Sequence, residues 1–146
     1  MADPRTVRYL GGEPHSREET WRRLLMCAGL WPTLGYGYWA VERKEDGVMV
    51  AQVGFSDFKR GMTPSIEGLP EMGWILAPDA YGQGYASEAV AAGLTWADET
   101  LQPPEIVAII DADNAPSIRV AEKAGFNSRE DAVYRDAPIQ LFRRRR

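Results

Sequence analysis

The chain has 146 residues, of which 45% are hydrophobic and 26% charged, a length and composition typical of one globular domain. The net charge of -4 and the spread of the 17 basic residues argue against a nucleic-acid partner, and the terminal run Arg143 to Arg146 is interpreted as a solvated tail. With one cysteine and one histidine, the chain offers no internal disulfide and no metal cluster. Because it has no long apolar span and no signal sequence, we expect a cytoplasmic protein with no membrane partner.

The chain is predicted to begin with two helices. Residues 3 to 10 are expected to form a short helix that ends at Gly11-Gly12. A capping box at Ser16 and Glu19 begins a longer helix, which Pro32 and Gly35 close. The apolar positions of this helix fall on one face: Trp21, Leu24, Leu25 and Ala28.

A β-hairpin and a loop are predicted next. The β-rich runs Tyr36 to Arg43 and Val48 to Phe58 are joined across Asp46-Gly47, a dipeptide typical of hairpin turns, so the two runs are expected to pair antiparallel. The polar run Lys59 to Leu69 contains glycine and proline and is predicted to be a loop.

The segment from Glu71 to Glu88 combines a strand, a glycine turn and the start of a helix. Glu71 to Leu76 is the strand, Gly82 and Gly84 make the turn, and apolar residues then recur at helical spacing to about Glu99. The first turn of a helix has unpaired N–H groups and partial positive charge, and glycines let a phosphate reach the backbone. We therefore predict an anion site at Gln83 to Ser87, the alternative being a tight turn without a ligand.

A Rossmann dinucleotide site fits the same segment poorly. Ser87 stands at the third small position of the glycine fingerprint, and Glu105 precedes the next strand instead of ending it.

The last third of the chain predicts a buried strand, a helix and a closing hairpin. The strand runs from Glu105 or Ile106 to Ile110, and the helix is capped by Asn114 and stopped by Gly125. Ser128 to Arg135 and Ile139 to Arg144 are expected to form the hairpin around Asp136-Ala137-Pro138. The alternation of strands and helices implies a right-handed crossover, a parallel strand pair and an α/β fold with a mixed sheet.

Two blocks of this sequence resemble the GNAT superfamily of N-acetyltransferases. The turn Tyr81-Gly82-Gln83-Gly84-Tyr85-Ala86 is similar to the superfamily's acetyl-CoA pyrophosphate loop, with Tyr81 in place of the usual Gln or Arg. The run from Asn114 to Phe126 resembles the superfamily's segment from Asn-x-x-Ser/Ala to Glu-Lys-x-Gly-Phe. In their residue sequence, both blocks most resemble the Rim-type branch of ribosomal-protein N-terminal acetyltransferases.

The resemblance implies a single acetyltransferase-like domain over residues 1–146 with a parallel strand pair at the CoA site. It implies an enzyme that transfers an acetyl group from acetyl-CoA, without a metal, to a primary amine of a protein N-terminus or a small molecule. The residues implied to bind CoA come from the strand, the turn and the following helix: Trp74, Ile75, Leu76, Gln83, Gly84, Tyr85, Ala86, Ser87, Asn114 and Ser117.

Two catalytic candidates follow from the resemblance. Glu71 begins the CoA-contacting strand, where several family members carry a general base; its alternatives are to orient the acceptor or to lie at an exposed strand end. Ala121 stands where many members have the tyrosine that protonates the thiolate, which leaves Ser117 or water for that role. A CoA-binding module with little or no catalysis is therefore the alternative function.

The resemblance also implies a strand ahead of anything similar to residues 3 to 30, and the chain begins too late to supply it. We therefore expect Tyr36 to Arg43 to be an unpaired sheet edge. An open edge can template pairing with another chain, so a homo-oligomer through this edge is expected.

Overall fold

A computed structural model describes residues 3–10 and 12–145. These residues form one seven-stranded mixed sheet with the strand order β1-β2-β4-β5-β7-β6-β3. The strands are β1 (Tyr38–Glu42), β2 (Met49–Ser56), β3 (Met62–Thr63), β4 (Glu71–Leu76), β5 (Glu105–Ile110), β6 (Ser128–Tyr134) and β7 (Ala137–Arg145). The α-helices are α1 (Pro4–Val7), α2 (Arg17–Leu34), α3 (Tyr85–Trp96) and α4 (Ala115–Lys123).

The sheet consists of two antiparallel halves that meet at one parallel pair. In the first half β2 pairs with both β1 and β4, and in the second half β7 pairs with both β5 and β6. The halves join where β4 runs parallel to β5, after a crossover through α3. The predicted α/β fold with a parallel pair is thereby confirmed, and β1 lies at the predicted sheet edge, paired with β2 alone among the described strands.

Two details of the strands differ from the prediction. The run Lys59 to Leu69 is not entirely loop, because Met62 and Thr63 form β3 and pair with Tyr134 and Val133 of β6. A strand of two residues has too few positions to show an alternating pattern in the sequence. The turn of the last hairpin lies at Arg135 and Asp136, which have φ values of 51° and 59°, so Pro138 is inside β7.

Helix α2 begins and ends with the predicted local interactions. Ser16 Oγ accepts a hydrogen bond from the Glu19 N–H at 3.2 Å, and the Glu19 carboxylate accepts one from the Ser16 N–H at 2.8 Å. Gly35 ends the helix in the left-handed conformation. The expectation that Pro32 also closes the helix is wrong, since Pro32 lies inside it and removes one intrahelical hydrogen bond without stopping the last turn.

The apolar stripe predicted on α2 faces outward. Trp21, Leu24 and Leu25 are 58%, 55% and 54% exposed, whereas the face that packs on the domain buries Cys27 and Leu30. Nothing in the local spacing distinguishes the two faces, because both carry apolar residues. None of the helices among residues 3–10 and 12–145 combines the length and apolar character needed to span a membrane.

The main hydrophobic core lies under α3, on one face of the sheet. Val90 and Leu94 pack on Phe55 and Met72 of the first half of the sheet. Gly93 permits this close approach, since a Cβ atom there would lie 3.0 Å from Met72 Cε. The small side chains that the sequence places along α3 therefore position its N-terminus close to β4. Beyond Trp96 the chain continues as one π-helical turn, Ala97–Leu101.

The C-terminal arginines are structural and do not form the solvated tail that was predicted. Arg143 pairs with Glu105 at 2.7 Å and with Glu130 at 2.6 Å, and Arg144 pairs with Asp98 at 2.6 Å. They are held in place because β7 extends to Arg145 beside β5 and β6. The predicted run also includes residue 146, which lies outside the described residues.

The Glu105 ion pairs predict an acid-sensitive stability. Burial raises the pKa of Glu105. The hydrogen bonds and charges of Arg145 and Arg143 lower it by a larger amount, so the pKa lies below the ordinary value of 4.5. A depressed pKa stabilises the fold above the unfolded-state value, and this contribution is lost as the pH falls through the folded-state value. Glu105→Gln should therefore lower the free energy of unfolding near neutral pH and flatten its decline below about pH 4.5, as measured by urea denaturation.

A suitable control is Glu99→Gln, since Glu99 is exposed and makes no ion pair within the described part of the chain. That variant should follow the wild-type pH dependence. Equal slopes for wild type and Glu105→Gln below about pH 4.5 would contradict the assigned role of this carboxylate.

Candidate active site

A V-shaped opening separates β4 from β5. Glu71 opposite Val107 is the one registered pair between the two strands, supported by a hydrogen bond of 3.0 Å from the Val107 N–H to the Pro70 carbonyl. Beyond this pair the strands diverge, although β4 remains paired with β2 as far as Leu76. The side of β4 that faces β5 therefore presents backbone groups from Trp74 to Leu76 without a strand partner, which suits the addition of an extended ligand.

The glycine turn lies at the open end of this V. Gly82 and Gly84 have φ values of 73° and 86°, a region that side chains other than glycine seldom adopt. No side chain caps α3, so the N–H groups of Tyr85, Ala86 and Ser87 in its first turn have no intrahelical acceptor. The structure thus combines the predicted glycine turn and helix N-terminus with open backbone donors.

A cavity of about 730 Å³ connects the turn with the splayed strand. Its wall includes eight of the ten predicted CoA-binding residues: Trp74, Ile75, Leu76, Gly84, Ala86, Ser87, Asn114 and Ser117. The other two are not in its wall: Gln83 donates a hydrogen bond from Nε2 to the Asp79 carbonyl at 2.7 Å, and Tyr85 lies in a second cavity. The structure therefore brings most of the predicted cofactor residues together around one space.

The two predicted residues on α4 have a clear local role as well. Asn114 Oδ1 accepts a hydrogen bond from the Ser117 N–H at 3.2 Å, which caps α4 as its sequence predicted. Capping and cavity lining are compatible, because the cap places both side chains at the end of the helix that meets the V.

Sequence reasoning missed one wall of the cavity. Five residues of the N-terminal segment and two basic residues of α4 also line the cavity: Arg5, Thr6, Arg8, Tyr9, Leu10, Arg119 and Lys123. The spacing of Arg119 and Lys123 by four residues could have placed both on one face of α4. No local pattern could have placed the N-terminal segment here, because that placement depends on contacts with residues more than seventy positions away.

Glu71 is buried at the apex of the V and is not at an exposed strand end, so that alternative is wrong. Its carboxylate accepts hydrogen bonds from Arg60 Nε at 2.6 Å and from Arg60 Nη2 at 2.9 Å. Arg60 also donates to the Tyr134 hydroxyl at 3.0 Å and lies 5.0 Å from the centre of the Tyr134 ring. Burial lowers the pKa of Arg60, but the hydrogen bonds and charge of Glu71 raise it by a larger amount. The guanidinium therefore stays charged.

The hydroxyl of Tyr38, a residue of β1, lies against Gly73 of β4, close to this ion pair. Tyr38 stands opposite Gly54, which stands opposite Gly73, and the two glycines leave room for the ring to cross β2. A Cβ atom at Gly73 would lie 2.5 Å from the Tyr38 hydroxyl. Burial raises the pKa of Tyr38, with the nearby Ser56 hydroxyl opposing that effect, so the phenol is protonated at neutral pH.

A second cavity, of about 580 Å³, lies between β1 and α3. It contains Tyr85 and three carboxylates, Glu42, Glu45 and Glu88, together with two basic residues. Its acidic lining is unfavourable for a polyphosphate ligand, in contrast to the larger cavity.

Among residues 3–10 and 12–145 no cluster of His, Cys, Asp and Glu is arranged to hold a metal ion.

Comparison with known proteins identifies the family. Residues 1–127 match the family model described as acetyltransferase (GNAT) domain. YkkB of Bacillus subtilis (strain 168), a protein without an assigned activity, is 33% identical over 115 residues, which cover 76% of this chain and 63% of YkkB. The chain thus spans less than two thirds of the length of this curated relative.

Solved structures support the same assignment. A GNAT-family protein from Bordetella pertussis is 30% identical with a TM-score of 0.85, covering 97% of this chain and 84% of its own. The ribosomal-protein-S5-alanine acetyltransferase of Vibrio fischeri has a TM-score of 0.73 over 97% of this chain and 82% of its own; at 21% identity it shows the fold alone. Two more distant structures of this fold contain acetyl-CoA or CoA together with a second ligand, which is spermine in one of them.

The family match covers most of the chain and includes the glycine turn, the splayed strands and the capped helix α4. The chain therefore belongs to the GNAT family of acyl-CoA-dependent N-acetyltransferases.

Proposed function

We propose that this protein transfers an acetyl group from acetyl-CoA to a primary amine. The observation that carries the proposal is the splay of β4 from β5 beside an uncapped helix N-terminus, both opening into the cavity of about 730 Å³. The pyrophosphate fits the N–H groups of Tyr85 to Ser87, and the pantetheine arm fits the unpaired edge from Trp74 to Leu76.

The reaction joins the amine nitrogen to the thioester carbon and breaks the carbon–sulfur bond. The nitrogen loses one proton and the departing sulfur gains one, while the carbonyl oxygen gathers negative charge. A backbone N–H of the open β4 edge is available to stabilise that oxygen. The chain must therefore supply a route for one proton at the amine and one at the sulfur.

Glu71 is proposed as the base at the amine, with a competing structural role. In support, it begins β4 at the apex of the V, on the strand that borders the cofactor space. Against it, both carboxylate oxygens already accept hydrogen bonds from Arg60, so neither is free to take a proton from the amine without giving up a partner. The same ion pair links β4 to Tyr134 of β6 and so supports the apex of the V.

The proton for the sulfur is proposed to come from Ser117 or water. Ala121, at the position of the family's usual tyrosine, is fully buried and has no proton to give. Ser117 is half-buried and lines the cavity. The weak acid at this site and the paired state of Glu71 are the observations that favour the alternative, a CoA-binding module with little or no catalysis.

The acceptor is proposed to approach the apex from the face that carries Tyr38, Ser56 and Glu71, opposite the face under α3. The residue sequences of the two motif blocks, and the fold shared with the Vibrio fischeri enzyme, support a Rim-type acceptor, the amine of a protein N-terminus. Small amines fit the same chemistry.

The proposal is tested by thiol release from acetyl-CoA with a panel of amines: peptides that begin with alanine or serine, a polyamine and an aminoglycoside. Release above the rate of hydrolysis is expected with at least one amine. Tight CoA binding without amine-dependent release from any member of the panel would instead establish the binding module.

Gly84→Val tests the cofactor turn. The branched side chain at a φ of 86° blocks the phosphate approach, and the loss of two charge-assisted hydrogen bonds should weaken acetyl-CoA binding by roughly 100-fold in calorimetry. Gly47→Val is the matched control, because Gly47 also has a positive φ of 70° and open space around it but lies in the β1–β2 turn. Unchanged affinity in folded Gly84→Val would remove the turn from the binding site.

Glu71→Gln distinguishes the base from the structural anchor. A base predicts unchanged CoA affinity and turnover lower by roughly 10², with loss of the acidic limb of the pH profile. An anchor predicts mainly a less stable protein, because one partner of a buried ion pair is lost. Survival of turnover and of its acidic limb in the folded variant would exclude catalysis by Glu71.

Self-association through the open edge is also proposed, with a second copy of the chain as the partner. β1 pairs only with β2 among the described strands, and Trp21, Leu24 and Leu25 of α2 are exposed. Sedimentation at tens of micromolar should show a dimer or larger species. A strictly monomeric protein at that concentration would refute this proposal.

A further inference from the structure

The larger cavity is strongly biased towards cations. Of the twenty described residues in its wall, four are Arg or Lys and none is Asp or Glu, in a chain with 17 basic and 21 acidic residues. The cavity beside β1 has three acidic and two basic residues in its wall, so the bias is specific to the larger cavity. A concave surface with this lining concentrates an anionic ligand.

Two of these cations lie on α4 and two on the N-terminal segment. Arg119 and Lys123 are one helical turn apart, and neither forms an ion pair within the described part of the chain. Arg8 also lacks an acidic partner there, and its guanidinium lies 5.3 Å from the centre of the Tyr9 ring. Three cations that line one cavity without neutralising acids are suited to bind phosphate.

Arg5, the fourth cation, has a different role. It pairs with Asp3 at 2.8 Å and lies 3.7 Å from Asp79, three residues before Gly82 of the glycine turn. The Tyr81 hydroxyl contacts the Arg5 carbonyl at 3.5 Å, and Val7 is fully buried. These contacts place α1 beside the turn, where Arg5 anchors the segment and Arg8 is left free for a ligand.

We infer that the N-terminal segment from Asp3 to Leu10 is a wall of the acetyl-CoA site, and that Arg8, with Arg119 and Lys123, binds the ribose 3′-phosphate of CoA. The inference rests on the proposed function. The pyrophosphate is assigned to the first turn of α3, and CoA carries one further phosphate, on its ribose. The three unpaired cations are the groups in the cavity wall that match this phosphate in charge.

Comparison of CoA with dephospho-CoA, which lacks the 3′-phosphate, isolates this contact. Calorimetry on wild type should show a preference for CoA, and Arg8→Ala should weaken CoA binding by about tenfold while changing dephospho-CoA binding by less than about threefold. Lys123→Ala should act in the same direction. The preference should also shrink as the salt concentration rises, since all three cations are exposed to solvent.

Arg22→Ala is the matched control, because Arg22 is an exposed arginine of α2 that pairs with Glu18 and lies outside the cavity. It should bind both ligands as wild type does. Equal losses for the two ligands in Arg8→Ala, or no loss for either, would overturn the inference while leaving the wild-type activity untouched. If wild type binds neither ligand, the proposed function itself fails and this inference with it.

Discussion

The single registered pair between β4 and β5 is the constraint on which the site depends. Each of the two strands is committed along its length to an antiparallel neighbour, β4 to β2 and β5 to β7, so the halves of the sheet can diverge without exposing either strand's outer edge. The divergence leaves open donors and acceptors on β4 at the level of Trp74. In a continuous parallel sheet the same groups would be paired, and no extended ligand could bind there.

The apex of the V is held by charge where it could have been held by apolar packing. Arg60 links Glu71 of the first half to Tyr134 of the second, at the point where the strands begin to separate. Removing one member of such a buried pair commonly costs about 3–5 kcal/mol, so the apex resists opening. A carboxylate that fixes the geometry of the V is poorly placed to accept a proton as well.

Charge is also divided between the two cavities. The acidic chain keeps its carboxylates out of the larger cavity wall and places several around β1, α3 and the last hairpin. Such a distribution guides a polyanion to one opening of the domain even though the net charge is -4. The N-terminal segment contributes to this division, since it brings Arg8 to the cavity and neutralises Arg5 with Asp3.

Local signals predicted the parts of the fold that are determined locally. The strand from Glu71 to Leu76 with the glycine turn after it, the capping box at Ser16 and the Asn114 cap all appear in the structure at the predicted positions. Other features depend on residues distant in sequence, so no periodicity predicts them: the Arg60–Glu71 pair, the outward face of α2 and strand β3. The position of α1 is of the same kind, because it is set by contacts with Asp79 and Tyr81.

Amide hydrogen exchange with and without acetyl-CoA, read residue by residue, tests most directly whether the V is the cofactor site. Binding in the V should slow exchange in two separate stretches, Trp74 to Leu76 and Tyr85 to Ser87, and leave the amides of Trp39 to Glu45 beside the second cavity unchanged. Slowed exchange at Trp39 to Glu45 with no change at Trp74 to Leu76 would contradict it and move the ligand to the other cavity.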